Sequence, residues 1–175
     1  WNSIIEEAVG VPAAGAKGAS LPKGRSGKLV GLTGGEPQLP RIITGIGELD
    51  RVLGGGLVEG SVVLVGGDPG IGKSTLLLQA LAAMGGRLPA LYVTGEESLS
   101  QVASRATRLG LPLDGLTALA ETGVERILAL ASESKPGLIV ADSIQTLWSE
   151  QLTAAPGSVS QVRESAARLV RFAKE

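Results

Sequence analysis

A glycine-rich segment from Gly67 to Ser74 has the spacing G-x-x-x-x-G-K-[ST], the pattern in this chain most directly connected to chemistry. Glycines allow the backbone N–H groups of such a loop to converge on phosphate oxygens. In this pattern Lys73 reaches the β- and γ-phosphates of a nucleotide, and the Ser74 hydroxyl binds Mg²⁺. The segment therefore predicts a nucleotide-binding loop rather than a chance glycine turn. The residues assigned to the nucleotide are Gly67, Asp68, Pro69, Gly70, Ile71, Gly72, Lys73, Ser74 and Thr75.

Acidic residues follow two apolar runs that are typical of buried strands. Asp142 comes directly after the run 138–141, where a carboxylate can hold Mg²⁺, although a helix cap is an alternative role. Glu96 and Glu97 follow the run "ALYVT". We predict that Glu96 orients or deprotonates the attacking water, whereas Glu97 could equally stabilise the start of the next helix. The catalytic residues are then Glu96 and Lys73, the metal ligands Ser74 and Asp142, and the cofactors ATP or ADP with Mg²⁺.

Four further polar residues lie close to these positions in the sequence. Arg105 and Arg108 belong to the helix predicted after Glu97, and either could flank the phosphates or simply be solvated. We include Arg105 among the nucleotide-binding candidates. Gln145 and Thr146 could begin a segment that senses the γ-phosphate, or they could be ordinary polar groups of a loop.

These residues need strands and helices to position them. Short apolar runs predict strands at 61–65, 90–94, 116–119 and 138–141, and helical patterns lie between them. Strands that alternate with helices imply right-handed crossovers and a parallel sheet. Three helix starts have the spacing of a capping box, namely Ser98 with Gln101, Thr122 with Glu125, and Ser158 with Gln161.

The end of the chain contains a polar connection, 147–161, followed by a last helix. We predict that Trp148 packs against the sheet edge, with a contact to nucleic acid as the alternative, and that the connection is a mobile element for a partner. The apolar face of the helix is predicted to contain Val159, Val162, Ala166, Leu169 and Ala173.

Composition excludes several kinds of chemistry. The 175-residue chain contains no cysteine and no histidine, so disulfides, thiolate metal sites and an imidazole base are excluded. A net charge of -1 gives no overall basic surface for nucleic acid. Neither a membrane span nor a signal peptide is visible, and a cytoplasmic location is expected. Residues 1–40 are predicted to be an N-terminal segment with a flexible linker.

Several segments together resemble the RecA-type ATPase core of the bacterial RadA (Sms) family of DNA repair proteins. They include "TGIGELDRVLGGGLVEGSVVLVGGDPGIGKSTLLLQ", "LYVTGEESLSQVASRATRLGL", "IVADSIQTLWSE" and "APGSVSQVRESAARLVRFAKE". The resemblance covers residues 41–175. It implies an α/β fold, a RecA-like P-loop NTPase core with a mostly parallel central β-sheet flanked by helices. By motif, 67–75 is the Walker A loop, Asp142 the Walker B acid and Glu96 the catalytic glutamate.

The resemblance also implies a function and partners. The family is an ATP-dependent DNA motor that extends strand exchange and promotes branch migration, working as a homo-oligomeric ring, typically a hexamer. Single-stranded or branched DNA and a recombinase protein are the implied partners, with no membrane. The family pattern has a zinc module before this segment and, after Glu175, another core strand and a Lon-protease-like domain, so the core is expected to be truncated at its C-terminus. A core this short is expected to bind nucleotide with weak or no hydrolysis.

Two other readings use the same phosphate loop. The first is an ATP-gated assembly module resembling the KaiC group, in which nucleotide mainly sets the oligomeric state; "TGEES" and "LGGGL" fit both families. The second is a small-molecule kinase, which usually needs an arginine-bearing lid that the sequence does not suggest. A response of the ATPase rate to single-stranded DNA separates the motor from the assembly module.

Overall fold

Strands and helices alternate through residues 39–175, the part of the chain that the computed structural model describes. The predicted linker lies outside these residues, and the domain boundary at 40/41 stays a prediction. In chain order the elements are β1 (Arg41–Ile42), α1 (Gly47–Val52), β2 (Leu57–Val58), α2 (Lys73–Met84), β3 (Ala90–Thr94), α3 (Leu99–Arg108), β4 (Leu116–Ala120), α4 (Val124–Ser134), β5 (Leu138–Asp142), a short 3-10 helix (Ile144–Thr146) and α5 (Val159–Ala173).

The main sheet has three parallel strands in the order β4-β3-β5, and a separate antiparallel pair joins β1 to β2. In the main sheet Thr94 is in register with Ala120 on one side and with Asp142 on the other. The three predicted strands at 90–94, 116–119 and 138–141 are therefore confirmed to within one residue, as is the parallel α/β architecture. The carboxyl ends of all three strands meet at one edge, where ligands bind in open parallel sheets.

The central strand β3 is buried along its whole length and separates two hydrophobic clusters. Tyr92 points to the side of α2 and α3, where it packs with Leu78 and Leu81. Leu91 and Val93 point to the opposite side and pack with residues of α4 and α5. This division follows from the strand geometry, because successive side chains alternate between the two faces of a sheet.

The predicted strand at residues 61–65 is wrong. In the structure this segment has no ladder partner within residues 39–175, and Val62, Val63 and Leu64 are 53%, 44% and 84% exposed. The apolar, β-branched composition gives the segment a preference for extended backbone, but a strand also requires hydrogen bonds to a neighbour. Within residues 39–175 the segment forms no ladder with the outer edge of β4 or of β5, the two edges of the main sheet.

The predicted apolar face of α5 is wrong at its two ends, Val159 and Ala173, which are exposed, whereas Val162, Ala166 and Leu169 are half-buried. Val159 is 75% exposed, whereas Gln161 and Ser165 are buried and Leu169 packs against the core with Phe172. The helix turns Gln161, and not Val159, toward the interior, because the Gln161 amide forms hydrogen bonds with backbone groups of the preceding loop. Its Nε2 donates to the carbonyl oxygens of Ser149, Leu152 and Ala154 at 3.3, 3.3 and 2.9 Å, and its Oε1 accepts from the Ser149 N–H at 2.8 Å.

Replacing Gln161 by leucine is expected to lower the free energy of unfolding by about 2–4 kcal/mol, because several loop groups lose their partner while the side-chain volume is nearly kept. Urea unfolding followed by circular dichroism measures this difference. Arg163→Ala, at an exposed position on the same helix, is the matched control. A Gln161→Leu protein as stable as this control would contradict the assigned role of the amide.

The three predicted capping boxes have different outcomes. The box of Ser98 and Gln101 at α3 is confirmed in both directions. At α5 the Ser158 hydroxyl caps the Gln161 N–H, while the Gln161 side chain is turned inward. The box at Thr122 is wrong: α4 begins after Gly123, and the Glu121 carboxylate accepts from the N–H groups of Thr122 and Gly123 at 2.8 and 2.9 Å. Glu121 thus takes the Thr122 N–H that the Glu125 carboxylate would accept in a capping box, and the Thr122 hydroxyl accepts from the Trp148 indole instead.

Within residues 39–175, no helix combines the length and the apolar character that crossing a lipid bilayer requires.

Candidate active site

The glycine-rich loop leads directly into the N-terminus of α2. Gly72 occupies the N-cap position with φ 101°, a left-handed conformation that favours glycine, and no side chain caps the helix. The first turn contains no acidic residue. The backbone N–H groups at the start of α2 and the positive end of its dipole therefore form a site suited to a phosphate group.

Lys73 is the first residue of α2, and its ammonium group lies over the loop. Its Nζ donates to the carbonyl oxygens of Gly67 at 2.7 Å and Asp68 at 2.8 Å. Residues 67–72 are exposed, while Ser74 and Thr75 are half-buried in the first turn. The loop thus places a positive charge and backbone donors on one accessible surface, as binding of a nucleotide phosphate requires.

The structure brings Glu96 and Asp142 together at the carboxyl edge of the sheet. Asp142 ends β5, and Glu96 lies two residues beyond the end of the neighbouring strand β3. The Ser143 hydroxyl donates to Glu96 Oε1 at 2.8 Å, and the Gly95 N–H donates to the Asp142 carbonyl oxygen at 3.1 Å. Glu96 is exposed and Asp142 half-buried, so one carboxylate can meet water while the other is held by the sheet.

Tyr92 is a site residue that the sequence reasoning missed. Its side chain is completely buried, and its hydroxyl donates to Asp142 Oδ2. Burial and this hydrogen bond to the carboxylate raise the pKa of the Tyr92 phenol far above its usual value. The phenol therefore remains protonated and acts as a fixed donor to Asp142. The available signal was that the only tyrosine of the chain lies on the strand predicted beside Glu96.

Glu97 and Arg105 form an ion pair beside this cluster. Their side chains are 33% and 15% exposed, and Glu97 is also tied to Thr94 by hydrogen bonds between its backbone and the threonine hydroxyl. Glu97 Oε2 and Arg105 Nη1 are buried without a further hydrogen-bond partner in the described part of the chain. The structure therefore places the Arg105 guanidinium on Glu97, and a contact to nucleotide stays a prediction; Arg108 is exposed.

A shallow pocket of about 290 Å³ lies at the carboxyl ends of β3 and β4. Three glutamates, Glu96, Glu97 and Glu121, are among its lining residues. The N–H groups of Gly123 and Thr122 hold the pKa of Glu121 below its usual value, so this carboxylate is charged near neutral pH. The pocket therefore has an acidic lining next to Glu96, in which the charge of Glu97 is paired with Arg105.

Gly95 sets the approach of the 3-10 helix to the end of β3. A Cβ atom at this position would overlap the Thr146 side chain and press against Thr122. Thr146 is half-buried and donates to the Ser143 carbonyl oxygen at 2.8 Å, while Gln145 is exposed. Close packing explains the glycine between β3 and Glu96, and a part for Gln145 or Thr146 in sensing the γ-phosphate stays a prediction.

Trp148 packs at the sheet edge, as predicted. Its indole N–H donates to the Thr122 hydroxyl at 3.1 Å, and its backbone exchanges hydrogen bonds with Thr122 and Val124 at 2.9 Å each. The Ser149 hydroxyl donates to Glu125 at 2.6 Å, and Arg168 of α5 pairs with the same carboxylate at 3.1 Å. These contacts anchor the start of the connection that was predicted to be mobile.

The predicted metal ligands are chemically suited to Mg²⁺. Ser74 supplies a hydroxyl oxygen and Asp142 a carboxylate whose Oδ2 is held by Tyr92. Residues 39–175 contain no group of three or more His, Cys, Asp or Glu side chains that could hold a metal without further ligands. Mg²⁺ commonly takes only one or two protein ligands and completes its shell with phosphates and water, so this donor set fits a nucleotide-bound ion.

The chain is similar to a known family of ATPases and to several DNA repair proteins. Residues 42–136 match the ATPase family described as KaiC. The chain is 54% identical over 176 residues to the DNA repair protein RadA of Pseudomonas aeruginosa, covering 100% of the chain and 39% of that relative. It is 58% identical over 137 residues to RadA of Escherichia coli, covering 78% of the chain and 30% of the relative. It is 54% identical over 136 residues to RadA of Bacillus subtilis, covering 77% of the chain and 30% of the relative.

The chain spans less than two fifths of the length of these curated relatives. The match to the first of these relatives covers the whole chain and therefore spans the phosphate loop, the "TGEES" segment and Asp142. The predicted RecA-like ATPase fold and the resemblance to RadA are confirmed.

Proposed function

Because the chain belongs to the KaiC family of ATPases, we propose that it binds ATP at residues 67–75 and hydrolyses it, with Glu96 as the general base. The observation that carries this proposal is the hydrogen bond from Ser143 to Glu96, which joins the base to the residue after Asp142. The two paired parallel strands β3 and β5 bring Glu96 close to the end of the strand that contains Asp142, which supports the two proposed roles. The acidic pocket beside Glu96 supports the same assignment.

Each residue has a separate part in the proposed reaction. Glu96 orients a water molecule and accepts its proton as the water oxygen bonds to the γ-phosphorus, while the bond from that phosphorus to the β–γ bridging oxygen breaks and ADP leaves. Lys73 and the N–H groups at the start of α2 stabilise negative charge on the phosphate oxygens. Ser74 and Asp142 would hold Mg²⁺, which when bound neutralises charge on the β- and γ-phosphates. Oligomeric ATPases of this type commonly complete the site with a positive residue from a neighbouring subunit.

At the level of the whole protein, we propose a DNA-stimulated ATPase motor of recombinational repair. It would extend strand exchange and promote branch migration as a homo-oligomeric ring, with single-stranded or branched DNA as its substrate and a recombinase as a possible partner. The RadA relatives, which are named DNA repair proteins, support this proposal over the KaiC-like assembly module. Since this chain has a net charge of only -1, its own contribution to DNA binding would be a local surface or one assembled from several subunits.

The ATPase rate of the intact gene product, measured with and without single-stranded DNA, tests the motor proposal. We expect DNA to raise the rate severalfold in a preparation whose oligomeric mass is determined in parallel. An unchanged rate in a fully assembled ring, together with a change of mass on adding nucleotide, would favour the assembly module instead.

A further inference from the structure

The geometry points to Tyr92 as a positioning residue that fixes the Asp142 carboxylate for binding of the nucleotide-bound Mg²⁺. This inference rests on the proposed function, because it requires Asp142 to hold the ion. It assigns a specific task to a residue that lies outside the glycine-rich loop and has no reactive role of its own.

The register of the sheet explains how Tyr92 reaches Asp142. Tyr92 is paired with Val140, and Asp142 lies two residues further along β5 on the same face. Diagonal neighbours of this kind are separated by a distance that an aromatic side chain can span. A phenol hydroxyl therefore arrives at Asp142 Oδ2, whereas a shorter hydroxyl at residue 92 would not reach it.

The ring of Tyr92 is held on the side of α2. It is 0% exposed and belongs to the cluster that contains Leu78 and Leu81, which are also 0% exposed. The same helix begins with Lys73 and carries Ser74 in its first turn. The side chain of Tyr92 is thus packed against the helix that supplies one predicted Mg²⁺ ligand and hydrogen-bonded to the other.

This hydrogen bond limits how the Asp142 carboxylate can turn. With Oδ2 held by the phenol, rotation about the Cβ–Cγ bond is restricted. Hydrogen bonds to ligating carboxylates commonly contribute 10–100-fold to metal affinity. Without the phenol, Asp142 would keep its charge but sample other orientations.

Tyr92→Phe keeps the ring and removes only the hydroxyl, so it is the direct test. We expect the affinity for a fluorescent ADP analogue in EDTA to stay within twofold of the original protein. The concentration of Mg²⁺ needed to enhance nucleotide binding should rise about tenfold, and Mn²⁺ binding to the ADP complex, measured by electron paramagnetic resonance, should weaken similarly. Ser132→Ala, which removes a hydroxyl at an exposed position of α4, is the matched control.

Tyr92 is the only tyrosine in the chain, which allows a measurement without a mutation. In protein labelled with 3-fluorotyrosine, the single ¹⁹F resonance should shift when Mg²⁺ is added to the ADP complex and remain in place when ADP is added in EDTA. This measurement also tests the positioning role of Tyr92 if the Tyr92→Phe protein does not fold.

The outcomes separate this inference from the proposed function. Unchanged Mg²⁺ and Mn²⁺ dependence in Tyr92→Phe, an equal loss of affinity with and without metal, or a ¹⁹F resonance insensitive to Mg²⁺ would overturn the positioning role. If the original protein itself bound nucleotide without any Mg²⁺ dependence, the proposed ATPase site would fail, and this inference with it.

Discussion

Lys73→Ala is expected to weaken ATP binding by at least ~100-fold. The lysine ammonium group lies over the glycine-rich loop, where it can meet both the β- and γ-phosphates. Hydrogen bonds between charged groups contribute about 1.5–3 kcal/mol each, so losing two such contacts corresponds to about two orders of magnitude or more in affinity. Titration with a fluorescent ATP analogue measures the dissociation constant directly.

The matched control for this change is Lys174→Ala, which removes the same charge at an exposed position beyond α5. Its affinity for the analogue should equal that of the original protein. Lys73→Arg tests the geometry, because the larger guanidinium keeps the charge but does not fit the same point contact. If the dissociation constant of the Lys73→Ala protein were within threefold of the original value, the loop would not hold the phosphates as proposed.

Glu96→Gln is expected to leave ATP binding within about threefold and to reduce hydrolysis by roughly 10²–10⁴-fold, the usual contribution of a general base. Glutamine has nearly the same shape, and its amide oxygen can still accept the hydrogen bond from Ser143. It cannot accept a proton from water. Single-turnover hydrolysis of radiolabelled ATP, with enzyme in excess, separates this chemical step from product release.

Glu133→Gln on the exposed surface of α4 is the control for the loss of one negative charge. It should hydrolyse ATP at the original rate. Because a core of this length is expected to hydrolyse weakly, the comparison is most informative in the intact gene product. If the Glu96→Gln protein hydrolysed ATP at the original rate, Glu96 would not be the base. The other acidic residues of the adjacent pocket would then be the candidates.

Local sequence signals predicted much of the fold and of the site. The strand β3, the capping box of Ser98 and the helix after the phosphate loop each depend on residues within a few positions of one another. The proximity of Glu96 and Asp142 could also be predicted, because both follow the ends of parallel strands. The strand, the capping box and the helix were confirmed, and each of them depends on a local preference of the chain.

The errors arose where a distant partner decides the outcome. An apolar run at 61–65 indicates a strand only if another strand pairs with it, and the sequence contains no sign of that pairing. Thr122 has the right spacing for a cap, but in the structure its N–H donates to Glu121 and its hydroxyl accepts from the indole of Trp148, a residue far away in the sequence. The role of Tyr92 depends on the register between β3 and β5, which periodicity within one strand does not specify.

The side-chain amide of Gln161 also affects how α5 and the preceding loop unfold locally. Its contacts satisfy loop groups of Ser149, Leu152 and Ala154, which belong to a different segment from α5. Undocking the helix would expose these groups together, so loop and helix form one cooperative unit rather than two independently fraying segments. The Ser149 amide proton should therefore exchange with solvent only in openings that also release the start of α5.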